Sequence, residues 1–204
     1  IIWGDSLYYY AYTRSIVIDK DINFDNEAYR EDFGFPNEPE VSEVTGKIIN
    51  KFSPGSSILW VPAFVVGHLI SRGLELVGII SQADGYSFLT QYFVALSTIL
   101  FSILGLFFVY KLIRLFFKNK IALLTTLFLY LTTQMFYYTS IDPMNSHSAS
   151  FMLSALFLYL LAIFSDEKKW LSFGKSFSWQ KMLILGTLGG LISLVRNQDI
   201  ILLL

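Results

Sequence analysis

A chain of 204 residues in which 54% are hydrophobic and only 15% charged is too apolar for an ordinary soluble domain, where charged residues run at about 25%. Its 15 basic and 16 acidic residues give no net field that would draw nucleic acid, and the absence of cysteine excludes disulfide frameworks, thiolate metal sites and cysteine nucleophiles. These numbers predict an all-α polytopic membrane protein with charge segregated along the chain, since residues 1 to 57 hold ten acids against five bases and the remainder six acids against ten bases.

The chain opens inside Ile1-Ile2-Trp3 and closes on Ile200-Ile201-Leu202-Leu203-Leu204, so it reads as a fragment, with a transmembrane helix expected before Trp3 and others after Leu204. Residues 6 to 18 predict a short helix, too short and too polar to span, that Ser6 can cap. Asp5 stands just before it, beside the interfacial Trp3. A carboxylate at that boundary suits a general base facing a polar acceptor; the structural alternative is a helix cap. Tyr8, Tyr9, Tyr10 and Tyr12 offer stacking faces for a sugar. Residues 19 to 50 are acidic, contain Pro36 and Pro39, and predict an irregular loop. Asp19, Asp21, Asn23 and Asp25 alternate like the start of a calcium loop, but Phe24 replaces its glycine and Arg30 its last glutamate. What is left is a looser divalent-metal site using Asp21, Asp25 or Glu27, against the alternative of a solvated acidic loop. Thr45-Gly46-Lys47 lacks the upstream glycine of a phosphate loop.

Lys51 precedes the Pro54-Gly55 turn, where an ammonium can meet a lipid phosphate or simply snorkel to headgroups. Residues 58 to 80 predict a helix with His68, Ser71, Arg72 and Glu75 on one stripe. Four spans are expected, at about 86 to 110, 121 to 141, 147 to 165 and 182 to 204. Lys111, Arg114, Lys118 and Lys120 place the first connection in the cytoplasm, and residues 166 to 181, with four lysines and two acids, agree. The charge rule then favours residues 58 to 85 as an interfacial helix and connection, with residues 1 to 57 as an exterior loop. Arg196 and Asp199 interrupt the last apolar run. Ionisable groups at such depth face a cavity or a partner, or else form a local pair at i, i+3. His147, on the expected exterior loop, is a candidate for binding a sugar or phosphate, and Gly186, Gly189 and Gly190 for close helix packing.

Taken together, Gly4-Asp5-Ser6-Leu7-Tyr8-Tyr9-Tyr10, Thr45-Gly46-Lys47-Ile48-Ile49-Asn50-Lys51-Phe52-Ser53-Pro54-Gly55, Tyr137-Tyr138 with Ser146-His147, and Gly190-Leu191-Ile192-Ser193-Leu194-Val195-Arg196 resemble the GT-C membrane glycosyltransferases, in particular the protein O-mannosyltransferase and aminoarabinose transferase group. The resemblance implies a GT-C-type helical bundle with a large first exterior loop, in the cell membrane of a bacterium or archaeon. It also implies inverting transfer of a sugar from a polyprenyl phosphate to an acceptor on the non-cytoplasmic face. In that scheme Asp5 matches the catalytic carboxylate and Lys51 the lysine near the donor phosphate. Arg196 would help neutralise the phosphate, and Asn50, His147 and Tyr9 would complete the substrate contacts. Asn50 and Phe52 flank Lys51 where relatives often carry an acid and a proline, which leaves open whether Asp21, Asp25 or Glu27 replaces that acid and whether a metal is used. The rival classes are a transporter or channel subunit, with Arg196, Asp199, His147 and Glu75 along a path, and a membrane assembly factor without catalysis.

Overall fold

The structure, a computed structural model, describes residues 2 to 165 and 178 to 203; most of the loop at 166 to 181 expected in the cytoplasm lies outside them. Eight α-helices are described: α1 (Ser6–Arg14), α2 (Asp25–Ala28), α3 (Gly55–Leu76), α4 (Phe88–Arg114), α5 (Asn119–Thr132), α6 (Met135–Ser140), α7 (His147–Phe164) and α8 (Trp179–Val195). A π-helical turn, Ser15–Asp19, extends α1, and a 3-10 helix, Asn197–Leu203, follows α8. The all-α expectation holds. Among the described residues α3, α4 and α7 are long and apolar enough to cross a membrane. The chain divides into two compact units, Ile1–Thr98 and Ile99–Leu204.

The first unit is built on aromatic packing between α1 and α3. Tyr9 meets Trp60 edge to face at 6.1 Å, Tyr10 lies 5.5 Å from Phe64, and Tyr10, Trp60 and Phe64 are fully buried. Ser57 Oγ donates to Tyr9 O at 2.6 Å and Thr13 Oγ1 to Ser57 O at 3.1 Å, so small hydroxyls tie the two helices where the backbones draw close. Ser71 and Ser87 hydroxyls lie 2.6 Å apart, and Gly67 faces Thr90 and Phe93, so α3 also packs on the start of α4. The helix expected at 58 to 80 starts earlier, at Gly55, and stops at Leu76. Its end is set by Gly78 at φ +73° and by Glu75 Oε1, which accepts from Ala83 N at 3.2 Å.

The acidic stretch is more ordered than its composition predicts. Ala11, Phe24, Ala28 and Ile48 form a small core, with Tyr12 and Phe35 packed against it. Val41 and Ile48 make an antiparallel bridge closed by a turn in which Gly46 N donates to Ser42 O at 2.8 Å. Gly46 has φ +66°, a left-handed conformation open to glycine at no steric cost. Thr45-Gly46-Lys47 is therefore a hairpin turn.

In the second unit two expected spans are interrupted. The apolar run at 121 to 141 breaks into α5 and α6 at Thr133, which adopts an extended backbone, where Thr132 and Thr133 donate their hydroxyls to Phe128 O and Leu129 O at 2.7 and 2.8 Å. Hydroxyl side chains that bond locally compete with helix propagation. The run at 182 to 204 is helical only to Val195; Arg196 is extended and the 3-10 helix follows. Gly189 meets the side chain of Leu203, whereas Gly186 and Gly190 face open space among the described residues, so only one of the three glycines expected to permit close packing does so here. The tight approach lies elsewhere, between α4 and α7. Ser102 Oγ donates to Ser148 Oγ at 2.8 Å, and a Cβ at Gly105 would fall 2.6 Å from Phe151 Cε1. Gly105→Leu is expected to destabilise the detergent-solubilised protein by about 1–3 kcal/mol, the usual cost of overpacking, read as a lower thermal midpoint than Gly186→Leu gives.

Candidate functional site

On the surface of the first unit the two residues expected at opposite ends of the polar segment meet. Lys51 Nζ lies 3.6 Å from Asp5 Oδ1, with the side chains 48% and 65% exposed. Exposed pairs of this kind stabilise a fold by about 0–1 kcal/mol, so the contact does not hold the segment together. What places it is the framework beneath. Asn50 Nδ2 donates to Tyr8 O at 2.7 Å and Asn50 Oδ1 accepts from Phe52 N at 3.2 Å, which pins the 50–52 turn to α1. The Lys51 ammonium rests 4.6 Å above the Tyr8 ring and 5.0 Å from that of Phe52, a cation–π arrangement that limits its swing. Asp5 sits at the N-cap of α1 without a side-chain cap bond. Ser6 instead braces the turn, accepting from Trp3 N at 2.8 Å and donating to Trp3 O at 2.6 Å. The carboxylate is thereby left to the solvent side. Tyr9 is buried against Phe52 and Trp60, so it forms the floor under the site and presents no open face for a sugar. Asn50 stands beside Lys51, with its amide already spent on backbone.

The first unit also holds a buried cluster that sequence reasoning missed, centred on Arg14. Its Nη1 donates to Asp19 Oδ2 at 2.6 Å and to Glu27 Oε1 at 2.8 Å, its Nε donates to Asp84 O at 2.9 Å, and the guanidinium lies 5.3 Å from the centre of the Tyr86 ring. Arg30 covers the same ring at 4.4 Å and pairs with Asp84 at 2.7 Å. One signal was available in the sequence: Arg14 is the only charge in residues 6 to 18, directly before the acidic run, the position of a cation that must find partners when its helix is buried. The three carboxylates expected to share a metal ion are not brought together. Asp21 Oδ1 accepts from Ser15 Oγ and Asn23 N at 2.8 and 3.1 Å, Asp25 accepts from Asn23 Nδ2 at 3.1 Å, and Glu27 is committed to Arg14. Among the described residues no group of three acidic or histidine side chains is disposed to hold a metal ion.

The second unit carries its own site, where α5 breaks, α7 begins and α8 ends. An open pocket of about 570 Å³ is lined by Thr133, Gln134, Tyr138, His147, Ser150 and Arg196, among others. Arg196 Nη1 lies 2.6 Å from His147 Nδ1, and the imidazole stacks on Tyr138 with centroids 3.8 Å apart and planes 12° from parallel. Asp199, for which a local pair with Arg196 was the alternative, accepts from Ser150 Oγ at 2.5 Å. The i, i+3 pair 196 and 199 thus engages the i, i+3 pair 147 and 150, and the pocket gathers two of the expected site residues, His147 and Arg196.

The family model of the dolichyl-phosphate-mannose-protein mannosyltransferases matches residues 88–204, more than half of the chain. The chain belongs to that family. That family lies in the GT-C superfamily of membrane-embedded glycosyltransferases, which use polyprenyl-phosphate-linked sugars as donors. No curated protein and no solved structure matches the chain. The matched range of this mannosyltransferase-family chain includes His147 and Arg196; Asp5, Tyr9, Asn50 and Lys51 precede it.

The Arg14 cluster has a consequence for pH. Burial outweighs the attraction of Arg14 and pushes the Glu27 carboxyl up to about 7 from an ordinary 4.5. The folded loop therefore holds a proton that the unfolded chain releases at about 4.5, so its stabilisation is complete below 4.5 and is lost as pH rises through 7. Limited proteolysis of residues 19 to 50 in the membrane-embedded protein is expected to be faster at pH 8.5 than at pH 5.5, and Glu27→Gln should remove most of that difference.

Proposed function

We propose that the chain transfers a sugar from a polyprenyl phosphate to an acceptor hydroxyl or amine on the non-cytoplasmic face of the membrane, with inversion at the anomeric carbon. The observation that carries this reading is the meeting of Asp5 and Lys51 across the polar segment, in a protein whose family performs this class of transfer. A general base and a fixed cation are the two groups such a displacement needs. Asp5 takes the proton from the acceptor as its oxygen or nitrogen attacks the anomeric carbon. The bond from that carbon to the phosphate oxygen breaks, and its electron pair leaves with the phosphate, whose growing negative charge Lys51 stabilises. In the resting arrangement Lys51 holds Asp5; a donor phosphate competes for the ammonium and leaves the carboxylate to the acceptor.

Arg196 is proposed to meet the anionic part of a ligand in the pocket of the second unit. The acidic excess of residues 1 to 57 and the cations between α4 and α5 support a non-cytoplasmic position for the polar segment. On that parity α3 lies in the membrane interface, although its 22 residues reach about 33 Å and would be long enough to cross. The aromatic floor of Tyr8, Phe35 and Phe52 suits a site at that boundary, where apolar lipid and polar acceptor meet.

The test uses the full-length protein in membranes with a radiolabelled polyprenyl-phosphate sugar. Transfer is expected from the native protein, a loss of about 100-fold or more for Asp5→Asn, and a comparable loss for Lys51→Ala, about 100-fold, as for removal of a group that stabilises transition-state charge. Native-level transfer by Asp5→Asn would sink the assignment.

A further inference from the structure

We propose that His147 is a positioning residue that orients the Arg196 guanidinium while leaving its positive charge uncompensated, so that the pocket at the α5–α6 break receives an anionic group. This deepens, and rests on, the reading of Arg196 as the contact for the anionic part of a ligand in the second unit. A guanidinium can only donate hydrogen bonds. Its partner at 2.6 Å is Nδ1, so that nitrogen offers a lone pair, the ring is neutral, and its single proton sits on Nε2. The imidazole is the rigid member of the pair. Tyr138 stacks on one face, and the His147 backbone N–H is held by Asn145 Oδ1 at 2.9 Å; Asn145 is in turn tied to Asp142 O at 2.8 Å. Arg196, on its long stem, would otherwise lose much rotamer freedom to reach one geometry.

The identity of the partner decides what the guanidinium can do next. A carboxylate would fix its orientation and cancel its charge; a neutral imidazole fixes it and leaves the full charge. The nearest carboxylate along the chain, Asp199, is diverted to Ser150, and among the described residues no carboxylate lines the pocket. The other polar groups there, among them Thr133, Gln134 and Ser150, are neutral donors and acceptors of the kind that read hydroxyls. The chemistry that fits is a phosphate ester carrying a polyhydroxylated group.

The experiment is a binding cycle on the full-length protein in phosphatidylcholine nanodiscs, with sugar-free polyprenyl monophosphate as the probe and the thermal midpoint of each variant recorded alongside. Arg196→Ala is expected to weaken binding about 100-fold and His147→Leu about tenfold. The double variant should bind no worse than Arg196→Ala, because a residue that acts through another has no effect once that other is gone. His147→Gln, which restores a neutral acceptor, should stay within about threefold of native, since little binding energy is then lost. His147→Glu forms the stronger pair and satisfies any merely structural role, yet is expected to weaken binding at least as much as His147→Leu. The Gln and Glu variants decide the matter if His147→Leu fails to fold. Additive losses in the cycle, native-like binding by His147→Glu, or no binding by the native protein would overturn the inference. Normal binding with the expected cycle but no sugar transfer would instead overturn the transfer reading and leave this one standing.

Discussion

The first unit depends on the burial of one guanidinium. Arg14 lies at the end of α1, packed under Tyr86 with its side chain 10% exposed, where an unpaired charge would cost several kcal/mol. Its donors therefore have to be met, and they are met by groups at increasing separation along the chain: Asp19 from the adjoining π-helical turn, Glu27 from α2 and the carbonyl of Asp84 from the connection before α4. Arg30 adds a second clamp, pairing with Asp84 and placing its own guanidinium over the Tyr86 ring. A stretch with few apolar residues is thereby held by charge as well as by its small core around Phe24 and Ile48, which packs against α1. Asp5 and Lys51 face each other because both ends of that ordered segment return to the same helix. Removing one partner from such a cluster costs far more than the pair contributes, since the other is left buried and charged; Glu27, with one carboxylate oxygen still unpartnered, is the member under greatest strain from burial.

In the second unit the informative places are those where regular structure fails. Within a bilayer an irregular backbone is tolerated where protein or a water-filled cavity satisfies its polar groups. The break at Thr133-Gln134 and the extended residue Arg196 both line one pocket, so the two interruptions serve the same cavity. The contacts of α7 with α4, by contrast, use a glycine and a pair of serines, the close packing of small residues that membrane helices rely on in the absence of a hydrophobic force between them.

Much of this was legible in the sequence because apolar length is a strong signal. The helices α4 and α7 fall where uncharged runs of sufficient length predict them, and the family resemblance drawn from scattered motifs agrees with the match over residues 88–204. The pairing of Asp5 with Lys51 was legible only as two candidates, since no local pattern encodes a contact between residues so far apart. The break at Thr132 and Thr133 was not seen because hydropathy averages over hydroxyl residues that a helix tolerates in other settings. Arg14 escaped notice because its partners come from three separate segments, and Tyr9 was misread as an open stacking face because an aromatic residue beside a polar one looks the same in sequence whether it floors a site or lines it. The expected metal ligands failed for a related reason: alternating acids resemble a coordination loop until a buried arginine claims one of them.

The central claim is that the Arg14 cluster holds the polar segment so that positions 5 and 51 meet. Residues 1 to 204 contain no cysteine, so the pair Asp5→Cys and Lys51→Cys, in the full-length protein with any cysteine outside that range replaced by serine, can be treated with a short bifunctional thiol reagent and the cross-linked peptides counted by mass spectrometry. Efficient cross-linking is predicted in the otherwise native background, with a large loss when Arg14→Met is added. Absence of the cross-link in the native background, or an equal yield with Arg14→Met, would contradict it.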